Sequence, residues 1–216
     1  MSEILLNKLF ENNYEKVNWN NLSANHSEGA IHILEANPEK INWFSLSRNP
    51  NAIDLLKANP DKIKWVYLSE NPNSIHILEA NPEKIKWEFL SDNPNAIPLL
   101  EANPDKIHWD WLSKNPNAIH LLEANTEKID WEFLSLNTNA IHILEANQDK
   151  IYWYWLSRNP NAIDLLKANP EKIDWNCLSQ NPNAIPLLEE NLDKVVWFSL
   201  CRNPSIFDFQ YDYVLK

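Results

Sequence analysis

The chain has 216 residues, 44% of them hydrophobic, which is enough for a substantial core, and a formal charge of −11 from 30 acidic and 19 basic residues. A surface so acidic repels phosphate backbones and anionic lipid, which sets nucleic acid and membrane surfaces aside as partners. Two cysteines, Cys177 and Cys201, make no disulfide framework, and no apolar run approaches the length of a membrane-spanning helix.

A Trp recurs every 22 residues, at Trp43, Trp65, Trp87, Trp109, Trp131, Trp153, Trp175 and Trp197, and Trp19 stands 24 residues before the first of these. A fixed period of this size marks an array of stacked units, which replaces the usual expectation of one or two globular domains. The pattern predicts a single repeat domain over 1–216, with a degenerate N-terminal unit at 1–24, tandem repeats over 25–202 and a C-terminal cap at 203–216. The opening stretch, MSEILLNKLFENN, lacks a basic region ahead of an apolar one, so no secretory signal is expected and the cytoplasm is the predicted compartment. Val17 and Trp19 keep the register of the later repeats. The two extra residues around Ser27, Glu28 and Gly29 are expected to bulge at a turn rather than lengthen a helix.

The repeat is clearest in NPNAIDLLKANPDKIKW, residues 49–65. On a helical wheel Ala52, Ile53, Leu55 and Leu56 share an arc of about 160°, opposite Asp54 and Lys57, which predicts a two-turn helix over 51–58. A strand would put Leu55 and Leu56 on opposite faces. Asn51 is the predicted N-cap, because Pro98 and Pro186, at the Asp54 position of their units, then fall in the first turn, third in their helices, where a missing N–H loses no bond. A second helix is predicted over 59–69, capped by Asn59, with Pro60 first and Asp61 against the open amides. Its apolar residues form two seams, Ile63 with Tyr67 and Trp65 with Leu68, and the Trp column reads as a stacked core. Thr126, Thr138, Gln148 and Leu192 stand where other units have Pro, and looser caps are expected there. At the far end Val195, Val196, Trp197 and Phe198 are apolar even where earlier units carry charge, and the tail IFDFQYDYVLK is their predicted cover.

Two-turn helices do not survive alone, because nucleation is costly and little chain is gained back. The fold class that follows is all-α: an α-solenoid of tandem 22-residue two-helix repeats, a right-handed superhelix or rod about 80–90 Å long at ordinary helix spacing. Degenerate units cap both ends. A parallel β-solenoid has coils of similar length, but it requires β-branched alternation and Gly-rich corners, and this chain has one Gly.

Taken together, NPNAI-x-LLEANP-[DE]-KI-x-W-x-x-LS resembles a repeat found in many copies in proteins of giant DNA viruses that infect amoebae and algae. The likeness covers nearly the whole chain. It implies a helical-repeat protein that makes protein contacts, in the host cytoplasm or the virion, and it brings no catalytic residues with it.

G-x-S-x-G, the phosphate loop, H-E-x-x-H and C-x-x-C are all absent, so the expectation is a non-enzymatic protein without cofactor or metal. His32, His76, His120 and His142 each precede a Glu by three residues, at Glu35, Glu79, Glu123 and Glu145. Successive pairs stand one repeat apart, too far to converge on zinc, and read as solvated helix-surface pairs. Cys177 takes the slot of Phe133 and Trp155, as a core side chain. Bulky rings replace the usual charges at Tyr152, Tyr154 and Trp155, and this patch is the candidate protein-contact site. The expected partner is a protein, not nucleic acid, membrane or a small molecule. A homo-oligomer, or a structural protein self-associating through its end units, is the open alternative.

Overall fold

The computed structural model describes residues 13–207, and every regular element among them is helical. The chain divides into two compact units, Met1–Lys106 and Ile107–Lys216, built to one plan. The plan is that of an α-solenoid: a short first helix, a 3-10 turn, and a short second helix that packs on the second helix of the next repeat. In the first unit Trp43–Arg48 packs on Trp65–Glu70, which packs on Trp87–Ser91. In the second, Trp109–Lys114 packs on Trp131–Leu134, and Trp175–Ser179 on Trp197–Leu200.

The first helix lies where its apolar arc places it. In Ile53–Ala58, Leu55 and Leu56 are buried while Asp54 and Lys57 are exposed and 3.8 Å apart. Its N-cap is Ala52, however, not Asn51. Ala52 is fully buried and its carbonyl accepts the Leu56 N–H at 2.9 Å. Asn51 instead donates its side-chain amide to the His26 carbonyl, one repeat back, at 2.6 Å. Pro98 lies in the first turn as expected, but second in Ile97–Glu101 rather than third. The insertion near Ser27 also departs from expectation. It lengthens the helix, Glu28–Glu35, because Ser27 caps the Ala30 N–H at 3.2 Å and Glu28 sits against the open first turn.

The second predicted helix is two elements. Pro60–Lys62 is a 3-10 turn, Ile63 (φ −57°, ψ 129°) and Lys64 (φ −97°, ψ 92°) leave the helical region, and the α-helix restarts at Trp65–Glu70. The break turns Ile63 into the core and makes the residue before each Trp the true N-cap. Asn18, Asn42, Asp130 and Asp174 at that position each accept the N–H three residues on. Asn59 does stand at the N-cap of this turn, with Pro60 first, but its side chain caps no first-turn N–H: its amide donates back to the Leu55 carbonyl at 2.9 Å and closes the first helix. Without proline, Thr126–Lys128 and Gln148–Lys150 still form the same turn.

From Leu34 to Leu178 each repeat commits two leucines to full burial, Leu56 with Leu68 in one and Leu122 with Leu134 in another. Each contributes about 2–3 kcal/mol. The Trp column is not the core. As the first residue of the second helix, each Trp lies at the edge of the stack and is half-buried, and Trp197 is exposed. In the second unit the open ring faces carry lysines of the following repeat. Lys128 stands 4.5 Å from the Trp109 ring, Lys150 4.5 Å from Trp131, Lys172 4.5 Å from Trp153 and Lys194 4.8 Å from Trp175.

What joins one repeat to the next is polar and buried. The Asn71 amide donates to the carbonyls of Ser47 (3.1 Å) and Asn49 (2.9 Å), and its oxygen accepts the Asn73 N–H (3.0 Å). The same three bonds recur at Asn137, Asn159 and Asn181. Ser69 adds a clamp, donating to the Trp65 carbonyl at 2.8 Å and accepting the Lys86 N–H of the next repeat at 3.1 Å. Among the described residues no buried side-chain nitrogen or oxygen lacks a partner. Residues 1–12 of the N-terminal unit, and all of the predicted cover after Phe207, lie outside the described residues.

Two pairs of substitutions separate these roles. Asn137→Ala strips two buried carbonyls and one N–H of their partner and is expected to lower unfolding free energy by on the order of 3 kcal/mol. Asn139→Ala, losing an exposed bond to the Pro116 carbonyl at 2.9 Å, is expected to lose about 1 kcal/mol or less. Equal losses in urea titrations would refute a register held by the buried asparagine. Trp131→Ala should lose about 2 kcal/mol against about 3–4 for Leu134→Ala; the reverse order would return the Trp column to the core.

Candidate functional site

Tyr152 occupies the N-cap of the helix Trp153–Leu156, its N–H donating to Ser135 Oγ at 3.1 Å. A ring cannot cap an amide as Asp130 and Asp174 do, so its side chain is free to project and is 50% exposed. Tyr154 is 49% exposed and meets Trp155 edge-on, centroids 4.8 Å apart at 80°. Trp155 is half-buried, and its indole N–H donates to Glu132 Oε1 of the preceding repeat at 2.9 Å. The structure thus brings Tyr154 and Trp155 together and sets Tyr152 two residues before them, on the same short helix.

Tyr154 is also tied to the next repeat. Cys177, where Phe133 and Trp155 stand in earlier repeats, is buried. A hydrogen bond to Cys177, with the negative charge Cys177 and Asp174 can carry, holds the Tyr154 hydroxyl above its ordinary value. Burial pushes the Cys177 thiol up in turn, against the lowering effect of that bond, and the Asp174 carboxylate that accepts the Cys177 N–H at 2.8 Å adds to the rise.

Contrary to the expectation from the sequence, Trp155 is not a place where a ring replaces a charge; it belongs to a longer aromatic row of the repeat. Tyr67, Phe89, Trp111, Phe133 and Trp155 recur at 22-residue spacing on the second helices, each half-buried. In the second unit Trp111 and Phe133 stack at 6.0 Å and 21°, with the Lys114 ammonium 5.2 Å from the Trp111 ring. In the first, Tyr67 meets Phe44 edge-on at 5.7 Å, and the Arg48 guanidinium, ion-paired with Glu70, lies 5.2 Å from the Tyr67 ring. An open pocket of about 260 Å³ lies there, lined by His26, Phe44, Arg48 and Tyr67 among others. The signal was the spacing itself, two residues beyond the more conspicuous Trp.

The histidines behave differently along the array. His32 stands 3.3 Å from Glu35 and 3.8 Å from Glu28 of its own helix. His142 pairs across repeats with Glu123 at 2.8 Å, rather than with Glu145 three residues on. Among the described residues no group of three His, Cys, Asp or Glu side chains is arranged to hold a metal ion, and no helix is long and apolar enough to cross a membrane.

Comparison with protein-family models, curated proteins and solved structures finds no match. The chemistry of the surface is therefore the ground for a functional reading.

The Tyr154–Cys177 contact has a direct readout. Alkylation of Cys177 at mildly alkaline pH should be much slower than that of exposed Cys201, since the buried thiol is both shielded and less ionised. Tyr154→Ala should accelerate Cys177 several-fold and leave Cys201 unchanged. An unaltered Cys177 rate would mean that the tyrosine does not cover it.

Proposed function

We propose that this protein is a non-enzymatic helical-repeat scaffold whose work is protein–protein contact, and that Tyr152, Tyr154 and Trp155 form the centre of one contact surface. The observation that carries the reading is the half-exposure of two tyrosine rings, one at the N-cap of a short helix and one within it. At the Tyr152 position the neighbouring repeats have Asp130 and Asp174, and at the Tyr154 position Glu132 and Asn176. Aromatic rings offer large contact area for little lost side-chain freedom, and their polar tips reward a partner that supplies hydrogen bonds. The net charge of −11 supports a protein partner over nucleic acid or anionic lipid. The likeness of the repeat to those of giant DNA viruses makes the host cytoplasm, or the virion, the proposed place of action.

The test is a photo-reactive residue placed at Tyr152 in the otherwise intact chain, with one at Asp110 as control. A partner cross-linked from position 152 alone would then be purified and titrated against the wild type and the Tyr152→Asp, Tyr154→Glu double variant. The expected result is affinity weakened at least roughly tenfold, the scale of a modest hot spot, with the helical spectrum and melting retained. Unchanged affinity in a folded double variant would remove the patch from consideration.

A further inference from the structure

Within the second unit, the side of each repeat that faces the next is closed by it. Trp175 carries Lys194 over its ring, Leu178 is fully buried, and the Ser179 hydroxyl accepts the Val196 N–H at 3.1 Å. One repeat further on, in Trp197–Leu200, the corresponding side is open. Leu192, Trp197 and Phe198 are 62%, 64% and 74% exposed, the three most exposed large apolar side chains among the described residues. An open groove of about 290 Å³ runs between Leu188, Leu192, Val195, Trp197, Leu200 and Ile206.

This face is more than an ordinary repeat left uncovered. An ordinary repeat at this position would show water its Trp and the leucine beneath it, and little else. Here three neighbouring positions have turned apolar together. Val196 stands where earlier repeats of the unit have His108, Asp130, Tyr152 and Asp174. Phe198 replaces Asp110, Glu132, Tyr154 and Asn176, and Leu192 replaces Thr126, Gln148 and Pro170. The changes widen the apolar surface beyond what a following repeat covers, in a chain that is otherwise strongly acidic.

We infer that this face is the meeting surface of two copies of the chain, packed as a closed two-fold dimer. Two features of the face itself point to a second copy. Two acidic proteins associate where apolar burial and opposite-charge pairs offset their repulsion, and this face carries a cation and an anion at its rim. Arg202 lies 4.8 Å from the Phe198 ring, and Glu189 lines the groove. A two-fold axis through the apolar centre brings each copy's Arg202 toward the other's Glu189, so the face is complementary to itself. Open-ended stacking fits less well. The groups that reach back to the preceding repeat elsewhere are represented near the other end by Asn18 and Asn25, both exposed and both polar. Neither of these two described groups offers an apolar surface to Phe198 or Leu192.

The experiment is sedimentation equilibrium of the full chain over about 1–100 μM, the range in which modest interfaces dissociate. The expected result is a monomer–dimer equilibrium. Phe198→Glu sets two carboxylates beside the axis at an exposed position, and it should raise the dimer Kd at least tenfold with the melting curve unchanged. Arg202→Glu should weaken the dimer, and Arg202→Glu combined with Glu189→Arg should restore it, which a merely hydrophobic stickiness would not. The Tyr152→Asp, Tyr154→Glu variant should dimerise like wild type, so this result is separable from the fate of the tyrosine patch. A monomer throughout overturns the inference. Dimerisation indifferent to Phe198→Glu, or mass that grows without limit, overturns it equally.

Discussion

The buried asparagine is the interaction on which the rest of the array depends. Leucine burial supplies most of the favourable free energy, but it is non-directional and would tolerate repeats that slide or rotate against one another. The Asn71 amide does not tolerate this, since its two hydrogens need the Ser47 and Asn49 carbonyls of the preceding repeat and its oxygen needs the Asn73 N–H of its own turn. A wrong register leaves three polar groups buried and unpaired, at roughly 1–3 kcal/mol each. The serine clamp at Ser69 repeats the constraint from the other side, binding forward to Lys86. Helices of four to eight residues, unstable alone, are thereby fixed in one arrangement, and stability passes from neighbour to neighbour along each unit.

The period, the all-helical class and the leucine core were legible in the sequence because each rests on local spacing. The asparagines were misassigned for a physical reason. An Asn just before a helix is what an N-cap looks like, and Asn51, which donates to the His26 carbonyl one repeat back, and Asn59, which donates to the Leu55 carbonyl, look the same from their own neighbourhood. The signal that separates them was nonetheless present. A cap asks only for an acceptor, so Asn, Asp, Ser and Thr exchange freely there. The true cap position varies in this way and more, running through Asn42, Lys64, His108, Asp130, Tyr152 and Val196. The ladder position is Asn in every repeat from Asn49 to Asn203, since only a primary amide on so short a stem donates twice and accepts once.

The candidate patch was legible for the opposite reason, as a departure from the repeat. Tyr152 and Tyr154 are exposed where the departure suggested. What spacing alone did not convey was which row of one repeat touches which row of the next. The Trp155–Glu132 bond and the Tyr154–Cys177 contact each join residues 23 apart, one more than the period. That offset appears only once the helices are packed. The Trp column was overvalued for a related reason. Regular recurrence shows that a position is structural, not that it is central, and a large ring beside a lysine stem satisfies an edge as well as a core.

These constraints decide where function can reside. The leucines, the ladder asparagines and the clamp serines are all committed to holding neighbours together, and whatever they do they do identically in each repeat. A partner that must find one place on a periodic surface can use only the positions that vary, chiefly the cap position and the outward residues of the second helix. The cap position is free to vary because backbone bonds to the serine clamp already hold its N–H, as they do for Tyr152 and Val196. It is therefore the point where the array can change its surface chemistry at the least structural penalty. Tyr152 uses it to project a ring mid-array, and Val196 uses it to extend an apolar face.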